Sequence, residues 1–427
     1  MILRSRNLWT SSGCPATNPM LTCPALALDI WCQSEGMSVA SSHWLDSGRN
    51  EERTIRRSED MKASHGENDE HVEAPPYFFG QTANEAWIRA AQAVIASREI
   101  VQDGRGGATA ELLHATMRIS DPRQRWVLAR NPAINPAFAI AETFWILGGR
   151  DDAGFVNFWN PALPRYAGNG STYYGAYGKR LRSAFGLDQI ERAIDALSKN
   201  RASRQVVLQI WDPRSDLPTS DGMPASSDIP CNLCAMLKVR NDRLEWMQVM
   251  RSNDIFRGTP YNIVQFTLLQ EFIAGCIGVE LGEFVLVMDS LHAYQQDLKT
   301  FSISPSHSAI SGCSIALPRD QALRAVERCL ALLNDLSSPL LTRDRFREIV
   351  QADELPKGHA DLIRIAAADS ARRKDWLELM CMASDACSDS ALRKVWTEWM
   401  RHRSKTVTSG SRGLAETDRP AVSRTFQ

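Results

Sequence analysis

The chain has 427 residues, 44% of them apolar and 23% charged, with a formal net charge of −1. That length can bury a sizeable core, and the composition is that of an ordinary globular protein rather than a fibrous or disordered one. A charge this close to zero excludes broad attraction to nucleic acid or an anionic membrane, so any anionic ligand must be met by locally placed arginines. Ten cysteines at irregular spacing form no disulfide framework and suit small buried side chains in a reducing compartment, so a cytoplasmic location is expected. No apolar run approaches the ~18 residues that a membrane span requires, and the basic amino terminus lacks the continuous apolar region of a secretory signal.

Residues 1–75 mix Ser, Pro, Cys and charge without periodicity, and "GRNEERTIRRSEDMKASHGENDEH" is a solvated charge run. This segment is expected to be a disordered leader, with Met37 and Met61 as alternative starts. "TANEAWIRAAQAVIASREI" then reads as a helix: Thr82 followed by Glu85 is a capping box, and Trp87, Ile88, Ala91, Val94 and Ile95 form one apolar face. The Gly-rich turn "DGRGGAT" leads to the strand "AELLHATMRI", and "NPAFAIAETFWILGG" is an apolar helix closed by Gly148 and Gly149.

From residue 203 the period shortens. "QVVLQIW", "CAMLKV" and "LEWMQVM" are short β-rich runs with turns between them, "NIVQFTLLQEFIAGCIG" is a long buried helix, and "EFVLVMDSLHAY" is a further strand. Antiparallel-looking strands around a central helix predict an α+β fold, not a doubly wound sheet. After about residue 315 helical stripes dominate: Leu323, Val326, Leu330 and Leu333, then Leu392, Val395, Trp396 and Trp399. The expected organisation is a catalytic domain over 76–310, a helical extension over 311–405 and a disordered tail over 406–427.

Two stretches carry chemistry. In "IPCNLC", Cys231 and Cys234 lack the further ligands of a structural zinc site. Neither cysteine opens a helix as a redox pair would. A single nucleophile at Cys231, or a buried structural pair, remains. In "RSNDIFRGTPYN", Arg251 and Ser252 fall at a strand end, where a guanidinium can hold a phosphate and favour a nearby thiolate. Gly258 and Pro260 force a turn that delivers Asn262, whose amide both donates and accepts as a pyrimidine edge requires.

Together "DGRGGAT", "AETFWILGG", "YGAYGKRLR", "SRQVVLQIWDP", "IPCNLC", "RSNDIFRGTPYN" and "DSLHAY" resemble, in order, the motifs of the thymidylate synthase family. The resemblance covers slightly over half the chain. It implies that family's sheet with a long central helix, a homodimer with shared active sites, and methylation of dUMP at C5 by 5,10-methylenetetrahydrofolate without a metal. A pyrimidine nucleotide hydroxymethylase on the same fold, or a non-catalytic nucleotide-binding relative, is the alternative; nucleic acid and membrane partners are not expected. By this resemblance Cys231 would add to C6 of the uracil, a use of covalent catalysis that makes C5 nucleophilic. Glu142 would organise proton transfer, and Tyr177 would sit near the C5 proton. Arg105, Arg251, Ser252 and the partner-supplied Arg204 would hold the phosphate, His292 and Tyr294 the sugar hydroxyl, and Asn262 the base. Asp254, Gly258 and Trp159 would face the folate.

This chain also departs from the family pattern. Asn232 replaces the usual histidine after the cysteine, Met236 a glutamine and Gln205 an arginine, and Asp289 lies one residue farther than usual from His292. The family's closing Gly-Tyr-x-Pro-x-Pro segment is not found, and helices stand there instead.

Overall fold

A computed structural model of the protein describes residues 75–98, 101–104, 106–304, 312–351 and 353–410. The expected leader up to residue 74, the tail beyond 410 and Arg105 lie outside the described residues.

The chain enters through β1 (Tyr77–Gly80) and α1 (Ala83–Ala96). The Thr82 hydroxyl accepts from the Glu85 amide at 3.1 Å, and the Glu85 carboxylate reaches back to the Gln81 amide at 2.9 Å. The capping box therefore forms, shifted by one residue on its return bond. A hairpin of β2 (Val101–Gly104) and β3 (Gly107–Ile119) leads through β4 (Arg130–Asn131) to α2 (Pro136–Leu147). Asn135 caps α2 by accepting from the Ala137 and Phe138 amides, and Pro136 occupies its first turn, where no amide partner is needed.

Short helices α3 (Ala153–Trp159), α4 (Pro164–Ala167) and α5 (Tyr177–Arg182) precede α6 (Gln189–Lys199), β5 (Val207–Gln209) and α7 (Pro213–Asp216). Then come β6 (Asn232–Arg240), β7 (Arg243–Met250), β8 (Asn253–Asp254), the long α8 (Thr259–Ile277), β9 (Glu280–Tyr294) and β10 (Ser302–Ile303). Five helices complete the described chain: α9 (Arg319–Ser337), α10 (Arg343–Val350), α11 (Lys357–Arg373), α12 (Leu377–Ala386) and α13 (Ser390–Gly410).

The main sheet runs β1-β3-β9-β7-β6-β5, with β2 also on β3 and β8 also on β9. It is mixed rather than antiparallel throughout: β1–β3, β7–β9 and β8–β9 are parallel. The reason is that α8 acts as a crossover, returning the chain from the end of β7 to the start of a neighbouring parallel strand, which no hairpin can do. One sheet face packs on the helices. The other carries Leu113, Val207 and Met247 exposed, and Met236 sits there in register between Val207 and Met247.

Buried side chains of α9 to α13, among them Cys329, Leu332, Phe346, Ala366 and Trp396, belong to the same apolar cluster as the sheet and α8. A polar knot helps to join them. Fully buried Glu271 in α8 accepts from Arg125 at 2.5 Å, Arg123 at 3.1 Å and the Ser314 hydroxyl at 2.7 Å. Removing one partner from such a knot leaves an uncompensated buried charge, which typically costs ~3–5 kcal/mol. No helix among the described residues is long and apolar enough to cross a membrane.

Candidate active site

The site forms where the sheet is interrupted. β7 ends at Met250, Arg251 and Ser252 break the ladder, and pairing to β9 resumes at Asn253 and Asp254. Across that break, Cys231 immediately precedes β6, and the Arg251 amide donates to its carbonyl at 2.9 Å. The Arg251 guanidinium is held by the Pro230 and Ile229 carbonyls at 2.9 and 3.1 Å, with Nη2 3.9 Å from the Cys231 sulfur. A cation fixed beside a partly exposed thiol favours the thiolate.

Cys234 is placed differently. A bulge separates it from Asn232, and it lies with Met236 on the outward sheet face. Burial pushes its thiol up from the ordinary range.

On the other side of Cys231 stand Tyr177, Asn232 and Glu142. Tyr177 opens α5, which reaches α2 closely because residue 178 is glycine; a Cβ there would lie 2.7 Å from the Ile146 carbonyl oxygen. The Tyr177 ring packs on Phe266. Burial, followed by the neighbouring Cys231, raises its hydroxyl pKa, so it stays protonated. Glu142 accepts a hydrogen bond from the Gln265 amide, yet burial dominates and lifts its pKa to about 8. At neutral pH it is mostly a neutral acid, the state a proton-relaying carboxyl needs.

Asn262 lies one turn into α8 and is nearly buried; its Nδ2 donates to Asn253 Oδ1 at 3.1 Å, and Asn253 in turn donates to the Met288 sulfur at 3.4 Å. That chain of bonds fixes which end of the Asn262 amide is donor and which is acceptor. Gly258 is required beneath it, since a Cβ would sit 2.8 Å from Asn253 Oδ1. The Ser252 hydroxyl lies 3.4 Å from His292 Nδ1, and the His292 ring meets Tyr294 edge-on. Asp289 does not serve His292; it pairs with the exposed His114 at 3.0 Å.

The Asp254 Oδ1 accepts from the Phe256 and Arg257 amides at 2.8 Å each, while the buried Oδ2 has no partner. Burial raises its pKa, against the two amides and His292, which lower it. A cavity of about 680 Å³ opens beside Asn135 and the end of α3, with Phe138, Phe158, Trp159 and Tyr261 in its wall. Trp159 is fully buried and its Nε1–H is also unpartnered. Flat aromatic walls of this kind suit a planar ring ligand.

The structure thus brings Cys231 together with Arg251, Ser252 with His292 and Tyr294, Gly258 with Asn262, and Glu142 with Tyr177. Arg204 is exposed on the segment leading into β5. Gln265, Asn253 and Tyr261 were not singled out from sequence, although Gln265 follows Asn262 by three residues on one helix and so shares its face.

The thymidylate synthase family model matches residues 85–326, over half of the chain. The deoxyuridylate hydroxymethyltransferase of Pseudomonas phage M6 is 37% identical over 179 residues, covering 42% of this chain and 50% of that protein. The deoxyuridylate hydroxymethyltransferase of Bacillus phage SP01 is 31% identical over 231 residues, covering 52% and 59%. A putative thymidylate synthase of Methanothermobacter marburgensis is 28% identical over 219 residues, covering 50% and 91%. The chain spans about half the length of the phage proteins it matches.

Proposed function

Because this chain belongs to the thymidylate synthase family, we propose that it attaches a one-carbon unit to C5 of dUMP, through a Cys231 adduct at C6, and releases 5-hydroxymethyl-dUMP. The observation that carries the transfer is the Cys231 thiol set between the Arg251 guanidinium on one side and Tyr177, with Glu142 near it, on the other.

The Cys231 thiolate adds to C6, and the electron pair moves onto C5 and O4. Asn262, its amide turned by Asn253, donates to O4 and accepts from N3–H. Methylenetetrahydrofolate, bound against Trp159 and Asp254, supplies the carbon at the oxidation level of formaldehyde. Tyr177 stands where the C5 proton leaves, and the neutral Glu142 carboxyl passes protons to and from O4. C5 bonds to the methylene carbon as one of that carbon's bonds to folate nitrogen opens. Loss of the C5 proton, with departure of tetrahydrofolate as the second carbon–nitrogen bond breaks, leaves an exocyclic methylene. That methylene takes up hydroxide from water, the water's other proton going to solvent, to become hydroxymethyl. Elimination then returns Cys231 as thiolate. Arg251 and Ser252, with Arg105 and a partner subunit's Arg204, hold the phosphate, while His292 and Tyr294 hold the sugar. The apolar outward sheet face supports assembly as a homodimer.

Two observations favour water over hydride in the last step. Buried Gln265 Oε1, on the side chain that bonds Glu142, has no protein partner, and such an atom beside a carboxyl is suited to orient water. Two of the similar phage proteins are also named for hydroxymethyl transfer. Methylation to dTMP is the second reading, supported by the family match and the archaeal relative. The test is the mass of the nucleotide formed from dUMP and methylenetetrahydrofolate. A dTMP product would overturn the hydroxymethyl assignment alone, whereas unreacted dUMP would overturn the transfer itself.

A further inference from the structure

Residue 232 directly follows the nucleophile, and a row of buried polar side chains stands behind it. Asn232 on β6 and Gln248 on β7 are both wholly buried, with Trp246 two residues before Gln248 on the same strand face. The Trp246 Nε1–H donates to Gln248 Oε1 at 3.1 Å. Gln248 Nε2 donates in turn to Asn232 Oδ1 at 3.0 Å and to the Cys234 carbonyl at 3.1 Å. The bulge between Asn232 and Cys234 falls where this one amide serves both.

The polarity of the row is dictated from its far end. An indole N–H can only donate, and a backbone carbonyl can only accept. Gln248 must therefore turn its oxygen to Trp246 and its nitrogen to Cys234, and the second hydrogen on that nitrogen requires the oxygen of Asn232. Asn232 Nδ2 is left as the end facing away from Gln248. Among the described residues it makes no bond of full hydrogen-bond geometry. The group it acts on is the Tyr177 hydroxyl, whose pKa burial and then Cys231 raise and a hydrogen bond from Asn232 lowers. Glu142 and Asp228 are the other titratable groups that bear on this hydroxyl.

We propose that Asn232, aimed by Trp246 and Gln248, is a positioning residue that fixes which way the Tyr177 proton points. Nδ2 offers the phenol oxygen a donor, so the Tyr177 hydrogen turns to the remaining side, toward Cys231 and the nucleotide it attacks. There the O–H holds an oxygen acceptor, water or O4, in one place while the C5 proton leaves. A histidine, usual at this position, offers its neighbour a donor or an acceptor according to its tautomer. The aimed amide offers a donor only. This inference rests on the transfer reading above, in which Tyr177 stands beside C5.

Asn232→Asp keeps the shape of the side chain and reverses its polarity. With one carboxylate oxygen held by Gln248, the other can only accept, and the Tyr177 hydrogen turns back to it. Burial raises the pKa of such a carboxyl, and its protonated form donates again. The measurement is tritium release from C5-labelled dUMP with saturating methylenetetrahydrofolate, from about pH 5.5 to about pH 9. Each variant is compared with the wild type at every pH, so that titration of Cys231 and Glu142 divides out. Asn232→Asp should be at least about tenfold slower at the alkaline end and approach the wild type at the acid end. Its calorimetric affinity for dUMP should stay within about twofold, which also shows that it folds. Gln248→Glu, one bond farther back, turns the Asn232 amide over when ionised and should give the same pH-dependent loss; it carries the test if Asn232→Asp does not fold. Variant rates equal to the wild type throughout, a loss of the same size at every pH, or a loss confined to dUMP affinity would overturn the positioning role and leave the transfer reading intact. No tritium release by the wild type would overturn the transfer reading, and this inference with it.

Discussion

Replacing Glu142 by glutamine isolates the cost of a carboxyl held away from water. The side chain keeps its shape and its bond from Gln265, but it loses its titration. With a native pKa of about 8 against 4.5 for the free group, the folded protein retains a proton that the unfolded chain releases between those values. Stability therefore falls as pH rises from 4.5 to about 8 and is flat above. The penalty works out at ~1 kcal/mol at pH 5, ~3 kcal/mol at pH 7 and just under ~5 kcal/mol at pH 9. Glu142→Gln escapes it. Urea midpoints of the two proteins should thus nearly coincide at pH 4.5 and diverge steadily to pH 8, the glutamine form being the more stable. The same variant should lose roughly 10²–10⁴-fold in release of tritium from C5-labelled dUMP, the usual scale for a lost proton carrier. A stability difference that stays constant across this pH range would refute the neutral carboxyl, whatever the effect on catalysis.

Cys231→Ala should abolish turnover and retain dUMP binding, whereas Cys234→Ala, on the outward sheet face, should keep substantial activity; tritium release and dUMP titration of both variants check this. Asn262→Asp should shift preference from dUMP toward dCMP, because a carboxyl can serve the cytosine edge; mispaired buried groups cost ~1–3 kcal/mol each, and faster wild-type tritium release from dCMP would contradict the base assignment. Mixing inactive Arg204→Ala and Cys231→Ala proteins should restore some activity if sites are shared across a dimer, and subunit exchange without rescue would exclude that sharing.

The helices and their ends were largely legible in the sequence because local chemistry determines them. Thr82 and Glu85, Asn135 and Pro136, and Gly278 in the left-handed region each act within a few residues of where they stand. Strand direction was less legible. Whether β7 and β9 run parallel depends on where α8 delivers the chain, which no short run encodes. Cys231, Arg251 and Asn262 could be read because their motif residues are close in sequence. Their partners could not: Asn253 and Gln265 look like ordinary polar residues until the fold shows that each is buried and bonded to a site residue.

Of the nineteen residues of α8, sixteen are buried, and the helix has no face turned wholly to solvent. Such an element has little freedom to drift in evolution. Nearly every substitution disturbs the sheet, α2 or the Glu271 knot at once, so random change there is filtered by folding before it is tested by chemistry. A lineage changing its substrate or product would therefore find more viable variation along the exposed segment leading into β5 than within the helix that carries Asn262.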